Sequence, residues 1–253
     1  MLGKLIKHDL NYSKKSFFAI AALMIILAIV AATSLTFDVE RISAISIAIL
    51  AIVLTASIII TIALIFNGYR RSLFGPNGYL YLTLPVSKNQ LLLSKIIGAL
   101  IWVNFMIIVT FIISVTIATV IATVGARIYS DYSWIWIRNE ISLVQIAGDM
   151  LFGLLFINVL AFVAIIILFM TITLANVSFR NKRLHWIFAG VFGLAYFILY
   201  SRGAELIVRL FYDMTTFSTA RIDVTVFMIY SFIVGIISYL ITLHLLMKRI
   251  ELD

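Results

Sequence analysis

The groups able to do chemistry are few in this sequence and unevenly placed. There is no cysteine, which excludes disulfides, thiolate metal sites and a cysteine nucleophile. An ionisable group deep in hydrocarbon would mark an ion or proton path. Polar groups in the long apolar runs are few, among them Asn104, Asn158, His185 and His244, with Asp149 at an edge, and none of the ionisable ones lies mid-span. Recognition groups gather instead in one stretch, NGYRRSLFGPNGYLYLTLPVSKNQLLLSKI, which begins at Asn67. It holds both prolines, Pro76 and Pro85, and the bases Arg70, Arg71, Lys88 and Lys95. Beside them stand Leu73, Phe74, Tyr79, Leu80, Leu82 and Leu84. Guanidinium groups pair with carboxylates, and clustered apolar side chains outside a core mark a membrane surface or a partner's pocket. The chemistry on offer is non-covalent, contact either with a membrane surface or with a partner.

The elements that position this stretch follow from composition. The 253 residues are 64% hydrophobic and 12% charged, whereas a soluble domain is about half apolar and about a quarter charged. The chain therefore reads as an all-α integral membrane protein in one domain over 1–253. A helical span needs about 20 apolar residues to cross roughly 30 Å of hydrocarbon. Six runs qualify, at about 17–37, 42–66, 91–124, 150–177, 184–200 and 224–247. They are continuously apolar and too long for barrel strands, so they read as helices. The fifth is short and needs local thinning or a neighbouring helix to complete it. The run from Phe17 exceeds the apolar core of a cleaved signal peptide, so it reads as a retained span.

Six spans put both termini on one side. If that side is the cytoplasm, it carries thirteen of the 19 Lys and Arg residues and three of the 11 acids. The positive-inside rule then fixes the orientation. Topology accounts for the net charge of +8, and no nucleic-acid partner is needed. At the N-terminus Leu2, Leu5, Ile6 and Leu10 share a helical face while Lys4, Lys7 and His8 lie off it, the pattern of a short interfacial helix. The outer segment 125–149 holds Tyr129, Tyr132, Trp134 and Trp136, an aromatic belt. After the short fifth run, Leu206, Ile207, Leu210 and Phe211 oppose Glu205, Arg209 and Asp213, which predicts a separate amphipathic outer helix between spans five and six. Asn104 and Asn158 are expected to hydrogen-bond between helices. Ala189 and Gly193 form a small-residue packing pair.

Within the basic stretch, the second span is expected to run on through Arg70 and Arg71. Gly75 suits a helix C-cap and Pro76 the first position of a new, short helix over Asn77 to Thr83. Pro85 drives Leu84 toward an extended backbone. Ser87 to Gln90 has the capping-box spacing, with Val86 and Leu91 as a staple, so the third helix starts there.

LFGPNGYLYLTLPVSKNQLLLSKI resembles the signature of small six-span permeases of type 2 ABC exporters in Gram-positive bacteria. Their pattern is roughly LFG-x-x-GYL-x-x-TLP-[VI]-[ST]-x-x-x-LL-x-SK. Leu73, Phe74, Gly75, Gly78, Tyr79, Leu80, Thr83, Leu84, Pro85, Val86, Ser87, Leu91, Leu92, Ser94 and Lys95 fit it. Over the rest of the chain the likeness is one of layout. The resemblance implies that the segment between spans two and three is a coupling helix that docks into an ATPase subunit. This sequence has no G-x-x-x-x-G-K-[ST] motif. ATP and Mg would therefore sit on that partner, and this chain would not itself be an enzyme. The family also implies pairing with a second copy or a paralogous permease, and residence in the bacterial plasma membrane. The implied docking surface is Arg70, Arg71, Phe74, Tyr79, Leu80, Leu82 and Leu84, with Gly75, Gly78 and Pro85 setting the backbone. The cargo implied is a hydrophobic or amphipathic peptide such as a toxin, bacteriocin or antimicrobial peptide, with lipid or drug extrusion as the alternative. A non-ABC carrier and an immunity protein are the other readings.

Overall fold

A helix in hydrocarbon satisfies its backbone groups within its own segment, so long apolar runs rich in Ile and Val still coil despite their β-propensity. The computed structural model describes residues 2–37, 40–75, 87–128, 143–178, 185–214 and 220–250. Every regular element among them is an α-helix: α1 (Leu2–Thr36), α2 (Glu40–Phe74), α3 (Lys88–Ile128), α4 (Leu143–Ser178), α5 (His185–Met214) and α6 (Ala220–Ile250). All 6 are long and apolar enough to cross a membrane. This is the architecture of a multi-pass membrane protein. Hydroxyls within the helices are absorbed by carbonyls one turn back: Thr55 Oγ1 donates to Ala51 O (2.9 Å), Thr116 to Ile112 O (2.8 Å) and Thr242 to Ser238 O (2.7 Å).

Several boundaries differ from those expected. The interfacial N-terminal helix and the first span are one helix of 35 residues. At about 1.5 Å per residue, it reaches well beyond roughly 30 Å of hydrocarbon. Lys4, Lys7, Lys14 and Lys15 are exposed along it. Charge ends a hydrocarbon span without ending a helix. The separate amphipathic outer helix is likewise absent among the described residues: α5 runs unbroken from His185 to Met214. Gly203 does not stop it, because it is a notch. A Cβ there would collide with the Tyr230 hydroxyl, which donates to the carbonyl of Tyr200 at 3.2 Å. Asn158 is not an interhelical glue. Its Nδ2 donates to Leu154 O of its own helix at 2.9 Å. The aromatic segment's Tyr129, Tyr132, Trp134 and Trp136 lie outside the described residues.

The chain divides into two compact units, Met1–His8, Ile65–Leu100 and Phe152–Asp253 in the first and Asp9–Leu64 and Ile101–Leu151 in the second. In the second unit, Ala21, Met24, Ala28, Ala31 and Ser34 form the buried face of α1, and Ser34 Oγ lies 2.8 Å from Ser46 Oγ of α2. Phe17 stacks on Trp102 of α3 at 4.4 Å, with Phe105 edge-on to the same indole at 5.8 Å. In the first unit, α4 buries Val163, Ile166, Phe169 and Ile172. Gly193 of α5 faces Thr171, whose Cγ2 would lie 4.0 Å from an added Cβ, an ordinary contact distance that does not demand a glycine.

The antiparallel α5–α6 pair carries a ladder of hydroxyls. Tyr196 Oη is 2.5 Å from Ser238 Oγ, and Tyr200 Oη is 2.6 Å from Ser231 Oγ. Each serine also donates to its own helix, Ser231 to Phe227 O and Ser238 to Val234 O, both at 2.7 Å. The tyrosines must therefore be the donors across the pair. Gly203→Leu is expected to push Tyr230 off this seam and lower stability by about 1–3 kcal/mol through overpacking. Gly190→Leu, at a helix position with nothing within 4 Å of an added Cβ, should cost nothing comparable. Thermal unfolding of both variants in detergent checks this.

Candidate docking site

The C-terminal end of α2 is held by one face. Tyr69, Ser72 and Leu73 are buried on it, Arg71 is exposed on the other side, and Arg70 and Phe74 are half-buried. The spacing of three and four residues is that of a single helical face. Tyr69 is the pivot, with only 2% of its surface exposed. Its ring stacks on Phe169 of α4, with centroids 3.9 Å apart and planes 8° from parallel. Phe74 meets it edge-on at 6.1 Å. The Tyr69 hydroxyl lies 2.9 Å from Thr173 Oγ1. Thr173 spends its own proton on the Phe169 carbonyl at 2.8 Å, so Tyr69 donates and Thr173 accepts. Aromatic pairs of this kind contribute about 0.5–1.5 kcal/mol beyond their buried area.

The helix ends at Phe74, as the glycine after it predicts. A Cβ on Gly75 would collide with the Arg71 carbonyl oxygen. The requirement is close approach of the backbone rather than a left-handed turn. At the other end of the stretch, Ser87 caps α3. Its Oγ accepts the Gln90 N–H at 3.3 Å and its carbonyl accepts the Leu91 N–H at 3.1 Å. The first turns of α3 are then deeply packed, with Leu91, Leu92, Ser94, Lys95 and Ile96 all buried. Asn89 faces the other way, and its Oδ1 accepts the hydroxyl of Tyr239 from α6. Ser87→Ala should cost about 1 kcal/mol by removing the cap, read as a lowered unfolding temperature in detergent.

Of the residues expected to form the docking surface, Arg70, Arg71, Phe74 and Gly75 are brought together at the end of α2. Gly78, Tyr79, Leu80, Leu82, Leu84 and Pro85 lie outside the described residues, as does the short helix expected over Asn77 to Thr83. Phe74 was expected to face a partner's pocket; its ring also packs on Tyr69. The sequence reading passed over Tyr69, Thr173 and Tyr239. A tyrosine directly before two arginines was the visible signal at Tyr69. Its partner stands 104 residues further on, where local pattern says nothing.

Among the described residues no group of three His, Asp or Glu side chains is arranged to hold a metal ion. Comparison of the chain with protein-family models, with characterised proteins and with solved structures finds no match in any of the three.

Proposed function

We propose that this chain is the membrane-spanning subunit of an ATP-driven exporter, coupled to a separate ABC ATPase through the stretch between α2 and α3. One observation carries the reading. The signature from Leu73 to Lys95 is set between two long apolar helices, in a segment far richer in turn formers and bases than a simple connection requires. The firm seating of α2 at Tyr69 and of α3 at Ser87 and Asn89 supports it, because a handle must be attached to what it moves.

In this reading Arg71 and Arg70 meet carboxylates on the ATPase, and Tyr79, Leu80, Leu82 and Leu84 enter its groove. ATP and Mg are bound by the partner, which performs the hydrolysis. Two permease chains, identical or paralogous, form the path in a bacterial plasma membrane, with their termini in the cytoplasm. Closure of the ATPase pair brings the docking stretches together and opens the path outward. The cargo is a hydrophobic or amphipathic peptide, in keeping with spans that hold no mid-span charge.

The test is transport in proteoliposomes that hold the permease and a candidate ABC ATPase subunit. A fluorescent amphipathic helical peptide should accumulate only with hydrolysable ATP. A labelled lipid moving in its place would assign the cargo to lipid extrusion. ATP-independent movement of either would point to a carrier and overturn the proposal.

A further inference from the structure

Both helix ends that flank the docking stretch are tied by a tyrosine hydroxyl to another helix of the first unit. At the entrance, Tyr69 of α2 donates to Thr173 of α4 and stacks on Phe169. At the exit, Tyr239 of α6 donates to Asn89 of α3. Neither tie is needed to end or begin a helix, since Gly75 and Ser87 serve those purposes. The second tie also reaches further. The residue beside Tyr239 is Ser238, fully buried and bonded to Tyr196 of α5. Two turns along, Ser231 is bonded to Tyr200. The α5–α6 pair is thus pinned at two levels.

Aliphatic side chains slide past one another with little change in energy. A hydrogen bond in a low-dielectric surrounding is directional and resists such shear. A stacked ring pair tolerates a small offset, so at Tyr69 the bond to Thr173 is what resists sliding, while the ring on Phe169, 3.9 Å away, supplies most of the stabilisation. At the ends of the docking stretch two such directional ties are Tyr69 to Thr173, which is buried, and Tyr239 to Asn89, which is exposed. They lead to different helices.

We infer that Tyr69 and Tyr239 are positioning residues for transport: they carry displacement of the docking stretch to α4 and to the α5–α6 pair respectively. The inference rests on the coupling function proposed above, and it assigns the route by which that coupling enters the membrane. It separates two properties that the docking surface alone would keep together. Loss of a tie leaves the ATPase bound and turning over, while the spans cease to follow it.

The chain lacks cysteine, so spin labels can be placed without removing native thiols. Labels at Leu155→Cys on α4 and Leu199→Cys on α5, two exposed sites, report the distance between the two driven elements. The measurement uses the complex with its ATPase, before and after ATP with Mg and vanadate. Tyr69→Phe and Tyr239→Phe each remove one hydroxyl and keep the ring, so folding is preserved. Thr173→Val removes the first tie from its other side. Each variant is expected to co-purify with the ATPase and to hydrolyse ATP at close to the wild-type rate. The nucleotide-driven distance shift should shrink to about half or less, since coupling between sites is set by such differential contacts. Tyr69→Phe combined with Thr173→Val should be no worse than either alone. A full shift in both tyrosine variants would overturn the assignment of the ties while leaving the coupling function standing. No ATPase association in the wild type would overturn both.

Discussion

Replacing Tyr79 and Leu82 together by aspartate is expected to detach the chain from its ATPase. In the proposed complex both side chains sit in a groove that excludes water. Each substitution removes an apolar anchor and places a carboxylate where it loses hydration without a partner. The two changes together should weaken association at least about 100-fold, or ~2.7 kcal/mol. Co-purification from mild detergent measures it directly. Insertion and helix content should be unchanged, because the pair lies outside the apolar runs. Unaltered association would place the two side chains at the lipid surface instead.

Tyr69→Ala should lower stability sharply. It deletes a side chain that is 2% exposed, stacked on Phe169 and bonded to Thr173. Loss of a buried aromatic costs about 3–5 kcal/mol where the cavity does not collapse. The hydroxyl alone is a small part of that. Interhelical hydrogen bonds in membrane proteins average about 0.6 kcal/mol, and Thr173 keeps its bond to Phe169 O when Tyr69 is lost. Tyr69→Phe should therefore unfold close to the wild type, while Tyr69→Ala unfolds well below it. Thermal unfolding in detergent, followed by tryptophan fluorescence, distinguishes the two. Equal losses would mean that the hydroxyl, and not the ring, holds α2 to α4.

The contrast between these two residues shows what a sequence of this type makes legible. The second helix was expected to continue through Arg70 and Arg71 because nothing breaks it before Gly75, and it does. The cap at Ser87 was legible because capping is local: its Oγ accepts the Gln90 N–H and its carbonyl accepts the Leu91 N–H. The N-terminal interfacial helix and the first span, expected as two elements, are one helix, and Lys14 and Lys15 do not break it. They mark only where the helix leaves hydrocarbon. The fifth helix was cut at Arg202 and Gly203 in the same way. The salt bridge between Arg202 and Glu205, at 3.4 Å and largely exposed, lies within one continuous helix, and Gly203 there makes room for Tyr230.

What stayed hidden was pairing between helices. In a run of uniformly apolar residues, the period that would reveal a buried face is faint, because lipid and protein interior favour the same side chains. Tyr69 with Thr173, Tyr200 with Ser231 and Asn89 with Tyr239 are settled by how helices meet, and a single sequence does not record it. Asn158 illustrates the converse error. An amide in an apolar run suggested a bond between helices, and a carbonyl one turn back satisfies it. The docking stretch itself was singled out by its turn residues and its charges, which are local features. Its supports were not, because each lies in a distant part of the chain.

The most direct measurement of the central claim is the stoichiometry of the detergent-extracted complex. The chain is expressed with a candidate ABC ATPase subunit, and the mass of the eluting species is determined by light scattering on a sizing column. The account predicts two permease chains with two ATPase chains in one peak, and a changed hydrolysis rate relative to the ATPase alone. A permease peak free of ATPase, with hydrolysis unaltered, would contradict it.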